Sequence, residues 1–293
     1  MKIKVFGYRG PHNNTNDIEN ELKKSGHDII TNEQPDLIVD LNGPFTESQL
    51  FYNKCLIKPI RLYILLDIDP QKNTSWYDQT KLDLESCEIA CVISQTVKNQ
   101  IKKILKIDKK LNILHHPIKN VSNLKFVKGF MFLYSGRIYS KNKRFDLVLQ
   151  TLDCLGYDRE TLVVAGTERP PLNCVFVESP DDNILNQVFN AADILLSPSE
   201  FEGQNCNMIQ AVITRTFPIL NNQCEVVREF GLEKFSSDPT PEKMAKKIHE
   251  IKSHTKYYLD IMNELRPVFQ KQFSVETIVK NMLELYNNYR KNN

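Results

Sequence analysis

The chain has 293 residues, 41% of them hydrophobic and 25% charged, enough apolar material for a substantial core and most naturally two domains of moderate size. Its 38 basic and 36 acidic side chains leave a formal net charge of +2, so no global field draws it to nucleic acid or an anionic membrane, and such a partner has to be met by a local patch. Seven cysteines, an odd number without a CxxC pair, predict reduced thiols in a cytoplasmic setting and argue against a disulfide framework or a zinc site.

Residues 1–7 read as an immediate first strand rather than as a charged stub before a signal core, and no apolar run approaches the ~18 residues of a spanning helix. Strand-like runs at 4–7, 35–41, 62–66, 89–93 and 112–114 alternate with helical patterns at 17–25 and, behind an N-cap at Ser94, through Val97, Ile101, Ile104 and Leu105. The polar stretch 117–123 carries a proline and several turn-formers and reads as a linker. Beyond it the alternation restarts, with strands at 130–134, 162–166, 175–177, 194–196 and 218–220. Helices are expected at 144–155, 183–191, around 208–211, at 241–251 and 256–265, and at 274–289. This order predicts an α/β protein with parallel sheets layered by helices.

Two segments carry the chemistry. Gly136-Arg137 follows one strand and Lys143 stands just before its helix; a guanidinium and an ammonium there can neutralise much of a nucleoside diphosphate. Glu202-Gly203-Gln204-Asn205-Cys206 precedes a later helix that carries Gln210; the glycine lets backbone approach a ligand, the helix start offers N–H groups, and Glu202 can accept hydrogen bonds from sugar hydroxyls. Each segment alone also fits a plainer role, the first as a solvated basic loop and the second as a helix start with a carboxylate complementing its dipole. Together, at the carboxyl ends of strands, they point to one ligand holding both a diphosphate and a sugar.

Over residues 130–290 the chain resembles the retaining glycosyltransferases of family 4. The likeness rests on Gly136-Arg137 with Lys143, Val163-Val164-Ala165-Gly166, the run 192–199, Glu202-Gly203, Ala211, Pro218-Ile219 and Phe273-Ser274-Val275-Glu276. It implies a GT-B fold of two facing Rossmann-like domains: an acceptor-side domain over 1–120, a donor domain over 121–273, and a terminal helix over 274–293 that returns to the first. It also implies transfer of a hexose-like sugar from a UDP- or GDP-sugar to a carbohydrate, lipid-linked or protein acceptor, with retention and without a further cofactor.

On that resemblance Arg137 and Lys143 would bind the diphosphate and Glu202 the transferred sugar. Backbone amides of Gly203, Gln204, Asn205 and Cys206 would touch sugar or phosphate, and Gly10, in the loop after the first strand, would face the phosphates. Gln210 would stand where the family has a ribose-binding glutamate, and one extra residue separates Arg137 from Lys143 relative to the common spacing. Asp67-Ile68-Asp69 stands where many members show a histidine, which leaves Asp67 as a candidate acceptor contact. The same pair matches the metal-binding signature of the other main glycosyltransferase fold, but Pro70 already demands a turn there, and no metal is inferred. The lysine-rich helix and turn over 97–110 reads as a solvated face or a peripheral contact with anionic lipid. A catalytically silent GT-B binding protein and a nucleic-acid-modifying transferase are the alternatives.

Overall fold

The computed structural model describes residues 1–7, 15–41, 52, 54–65, 74–118 and 130–293. The chain divides into two compact units, residues 1–117 with 273–293, and residues 118–272.

In the first unit the described strands are β1 (Lys2–Phe6), β2 (Asp28–Ile29), β3 (Leu37–Asp40), β4 (Ile60–Leu65), β5 (Ile89–Val92) and β6 (Leu111–Ile113). They form one parallel sheet in the order β2-β1-β3-β4-β5-β6. β3 and β5 are buried along their whole length, as expected of a parallel sheet covered on both faces. The covering helices are α1 (Thr15–Lys24), α2 (Thr74–Ser86), α3 (Gln95–Leu105) and the last helix, α10 (Val275–Asn292). The Ser94 hydroxyl accepts the Val97 N–H at 3.1 Å and starts α3, whose Val97, Ile101 and Leu105 face inward. Ser274 caps α10 in the same way, and α10 lies against α1 with Ile278, Val279, Met282 and Tyr286 buried.

The second unit holds β7 (Phe132–Ser135), α4 (Phe145–Leu155), β8 (Leu162–Gly166), β9 (Val175–Glu178), α5 (Asp182–Ala191), β10 (Ile194–Ser197), α6 (Cys206–Thr214), β11 (Phe217–Asn221), α7 (Glu225–Glu229), β12 (Ser236–Ser237), α8 (Pro241–Ser253) and α9 (Thr255–Gln272). Its six strands are again parallel, in the order β12-β11-β10-β7-β8-β9. Leu133, Val163, Ala165, Phe189, Leu195 and Ala211 make one buried cluster joining sheet and helices. The crossovers from β7 go to β8 on one side, and β10 lies on the other, so the order reverses between β7 and β10.

Sequence periodicity alone does not predict α2. Its buried face includes Thr80 and Asp83 beside Leu84, a polar surface that periodicity does not register. The reason lies on β4, where Arg61 is buried at 1% exposure and its Nη2 stands 3.6 Å from Asp83 Oδ1. The Arg61 backbone N–H also donates to Glu88, at 2.7 Å. Burial pushes the Asp83 carboxyl up to about 6, against the opposing pull of the Gln79 hydrogen bond and the Arg61 charge. The folded state therefore takes up a proton at Asp83 more readily than the unfolded chain, and this group's contribution to stability falls as pH rises from about 4 through 6. Arg61→Ala is expected to cost about 3–5 kcal/mol at pH 7, because it leaves a buried carboxylate without its cation. Part of the loss should return at pH 5; equilibrium denaturation at the two pH values checks this.

Candidate functional site

The reversal between β7 and β10 fixes where a ligand can sit. In an open parallel sheet the crevice lies beyond the carboxyl ends of two neighbouring strands whose connections depart in opposite directions. Ile194 pairs with Phe132 and Leu195 with Leu133, so the loops leaving β7 and β10 emerge side by side. The first carries Arg137 and Lys143, the second Glu202 to Cys206.

The loop after β7 is shaped by close backbone approach. Gly136 has φ +148°, a conformation that favours glycine, and its N–H donates to the Ala165 carbonyl at 3.0 Å. A Cβ on Gly166 would stand 2.6 Å from the Gly136 carbonyl oxygen, so only glycine lets β8 pass under this turn. Arg137 is exposed, and its carbonyl accepts the Tyr134 hydroxyl at 2.9 Å. The step from Arg137 to Lys143 ends in a 3-10 turn over Lys141–Lys143, closed by the Lys143 N–H on the Ser140 carbonyl at 3.0 Å.

That turn brings Lys143 to Glu202: Nζ and Oε1 are 2.5 Å apart, with the two side chains 21% and 14% exposed. Arg144, in the left-handed region at φ +50°, donates to Glu200 at 3.0 Å and to Asp146 at 3.2 Å. Burial holds the Tyr134 hydroxyl well above the usual phenol range; the charges of Glu202 and Glu168 add to the shift and Arg137 opposes it. Burial, reinforced by the Glu202 charge, likewise pushes the Cys224 thiol up to about 12.

At the start of α6, Asn205 takes φ +51°, where asparagine is tolerated better than most residues. Its Oδ1 accepts the Met208 N–H at 3.0 Å and its Nδ2 donates to the Ser197 hydroxyl at 3.2 Å, tying the helix start to the end of β10. Gly203, Gln204 and Asn205 are buried, Cys206 is exposed, and Asn207 donates to the Ser135 carbonyl at 2.8 Å across to β7.

Of the residues singled out from sequence, the structure brings Lys143 together with Glu202, beside Gly203 to Cys206. Gln210 is buried in the second turn of α6, its Nε2 donating to Asn186 Oδ1 of α5. Gly10 and Asp67 lie outside the described residues. Sequence reasoning missed Asn142 and Tyr134, which shape the two loops; neither belongs to a charged or glycine pattern, and their roles appear only once the strands are paired. Among the described residues, no three His, Cys, Asp or Glu side chains come together as a metal site.

No protein-family model and no curated protein matches this chain. Solved structures do. Sucrose-phosphate synthase from Thermosynechococcus elongatus superposes with a TM-score of 0.73 at 15% identity, over 94% of this chain and 77% of that one. A glycosyltransferase from Rickettsia africae gives 0.73 at 14%, over 100% and 99%. Anabaena HepE in complex with UDP and glucose gives 0.71 at 11%, over 98% and 99%. The chain has the GT-B fold of these glycosyltransferases.

Gly166→Ala is expected to push the Gly136 turn off β8 and to destabilise the protein by about 1–3 kcal/mol, the usual cost of overpacking. A lowered denaturation midpoint with an unchanged slope is the measured sign.

Proposed function

We propose that this protein is a glycosyltransferase that moves a hexose-like sugar from a UDP- or GDP-sugar to a carbohydrate, lipid-linked or protein acceptor. The observation that carries the reading is the meeting of Lys143 and Glu202, 2.5 Å apart on loops from the adjacent strands β7 and β10, with Arg137 on the same loop as Lys143. A cation for the diphosphate and a carboxylate for the sugar thereby share one rim of the sheet. Anabaena HepE, of the same fold, is solved with UDP-glucose, which supports a nucleotide-sugar donor here. Retention of anomeric configuration belongs to the reading through the motif resemblance.

The chemistry asked of the residues is electrostatic. As the glycosidic bond loosens, negative charge grows on the leaving diphosphate, which Arg137 and Lys143 would stabilise. Backbone amides from Gly203 to Cys206 add donors at the start of α6. Glu202 accepts hydrogen bonds from sugar hydroxyls and orients the ring, while a diphosphate takes over as the partner of Lys143. Gln210 donates from Nε2 to Asn186, and its Oε1 stays in the reading as an acceptor for a ribose hydroxyl. Gly10 on the donor side and Asp67 on the acceptor side remain part of the proposal on resemblance alone.

Arg137→Ala and Glu202→Ala should each lower kcat/KM for donor-dependent transfer by about 100-fold or more, with melting temperatures close to wild type. A screen of UDP- and GDP-sugars by thermal stabilisation identifies the donor, since a ligand bound to the native state raises apparent stability. Near-normal turnover in both variants removes the reading; no binding of any nucleotide sugar points to a silent protein of this fold.

Peripheral membrane contact through the α3 region is a further part of the proposal. Lys102, Lys103, Lys106 and Lys110 are exposed around an exposed Ile104, whereas Val97, Ile101 and Leu105 are turned inward. No helix among the described residues is long and apolar enough to cross a membrane. Lys102→Glu with Lys103→Glu should abolish salt-sensitive co-sedimentation with phosphatidylserine vesicles; retention of binding excludes this surface.

A further inference from the structure

An uncharged residue builds the contact between the two loops. Asn142, in the 3-10 turn before Lys143, donates from Nδ2 to the Phe201 carbonyl at 2.8 Å. Its Oδ1 accepts the Phe201 N–H at 2.8 Å, and its own carbonyl accepts the Glu200 N–H at 2.9 Å. One flat amide thus engages both polar groups of a single backbone residue, as a partner strand would. On one side of this clamp Lys143 meets Glu202, and on the other Arg144 meets Glu200.

The relative weight of these contacts can be judged from exposure. Arg144 and Glu200 are 30% and 57% exposed, and an exposed ion pair of this kind is screened and contributes little. The Asn142 hydrogen bonds are partly buried and made to backbone, so they fix the chain itself one residue before Glu202. A carboxylate on a loop otherwise moves with its backbone. Serine offers a single hydroxyl and aspartate no donor when ionised, so neither presents the paired donor and acceptor of an amide.

We propose that Asn142 is a positioning residue for the donor: by holding Phe201 it sets the separation between the Lys143 ammonium, which takes the diphosphate, and the Glu202 carboxylate, which takes the sugar. This rests on the donor-site reading above. Its consequence is selective. A nucleoside diphosphate uses the cations and needs no fixed Glu202, whereas a nucleotide sugar needs both ends of the clamp at once.

Calorimetric titration of the whole protein with UDP and UDP-glucose, and in parallel with GDP and GDP-mannose, tests this. In Asn142→Ala the ratio of the sugar-nucleotide Kd to the diphosphate Kd should rise about tenfold while the diphosphate Kd changes less than about threefold. Glu202→Gln should raise the same ratio, and the double variant no further, because Asn142 acts through Glu202. Asn142→Asp, which keeps the acceptor for the Phe201 N–H and loses the donor, should give an intermediate ratio and decides the matter if the alanine variant does not fold. Equal weakening of both ligands, no change in either, or ratios that multiply in the double variant overturn the positioning role. If wild type binds neither pair, or Glu202→Gln leaves the ratio unaltered, the donor-site reading itself falls and the role of Asn142 with it.

Discussion

The pairing of β7 with β10 is the constraint on which the rest of the second unit's chemistry depends. These strands are distant in sequence, and Leu133 and Leu195 bring them into register inside one buried cluster with Val163, Phe189 and Ala211. A slip of one residue would exchange the faces of every side chain on the slipped strand, so the core permits one register. Because the chain leaves β7 toward β8 and reaches β10 from the other side, the loops at their carboxyl ends are neighbours although nothing in local sequence relates them. The encounter of Lys143 with Glu202 is a product of sheet order before it is a product of charge.

Electrostatics then acts on what topology has arranged. The Lys143–Glu202 pair is partly exposed, and such a pair adds little to stability on its own. The backbone around it is less economical: Arg144 and Asn205 both sit in the left-handed region, which costs a non-glycine residue about 1–2 kcal/mol, and asparagine least. Side-chain bonds offset those conformations, Arg144 with Asp146 and Glu200, Asn205 with the Met208 N–H and the Ser197 hydroxyl. Residues held in unfavourable backbone by their neighbours mark a candidate ligand site.

The alternation of strands and helices was readable along most of the described chain because the parallel strands are short apolar runs bounded by turn residues. The 162–166 strand follows directly from that pattern and the start of α3 from its Ser94 cap, while the caps at Thr240 on α8 and Ser274 on α10 emerge only in the structure. Two-residue strands such as β2 and β12 are too short to carry a period. α2 escaped for a different reason, since its inward Asp83 is justified only by Arg61 on another strand. The candidate site was proposed from sequence where glycine and charge mark it, at Gly136, Arg137, Lys143, Glu202 and Gly203. Asn142 was not, because an amide between two lysines has the composition of any surface loop.

Gln210 shows how packing selects a neutral side chain. The residue is buried at 7% exposure and donates to Asn186 Oδ1 on α5, while Asn186 Nδ2 donates to the Asp182 carbonyl at 2.6 Å and the Asn190 amide donates to the Asn186 carbonyl at 2.7 Å. The seam between α5 and α6 is therefore a chain of neutral amides in which Asn186 presents an oxygen to position 210. A carboxylate there would face that oxygen without a donor, a cost that an amide avoids. The neutral side chain is thus the one this seam accommodates, and the Glu202 carboxylate stands outside it on the loop, next to Lys143 and one residue beyond the Asn142 clamp.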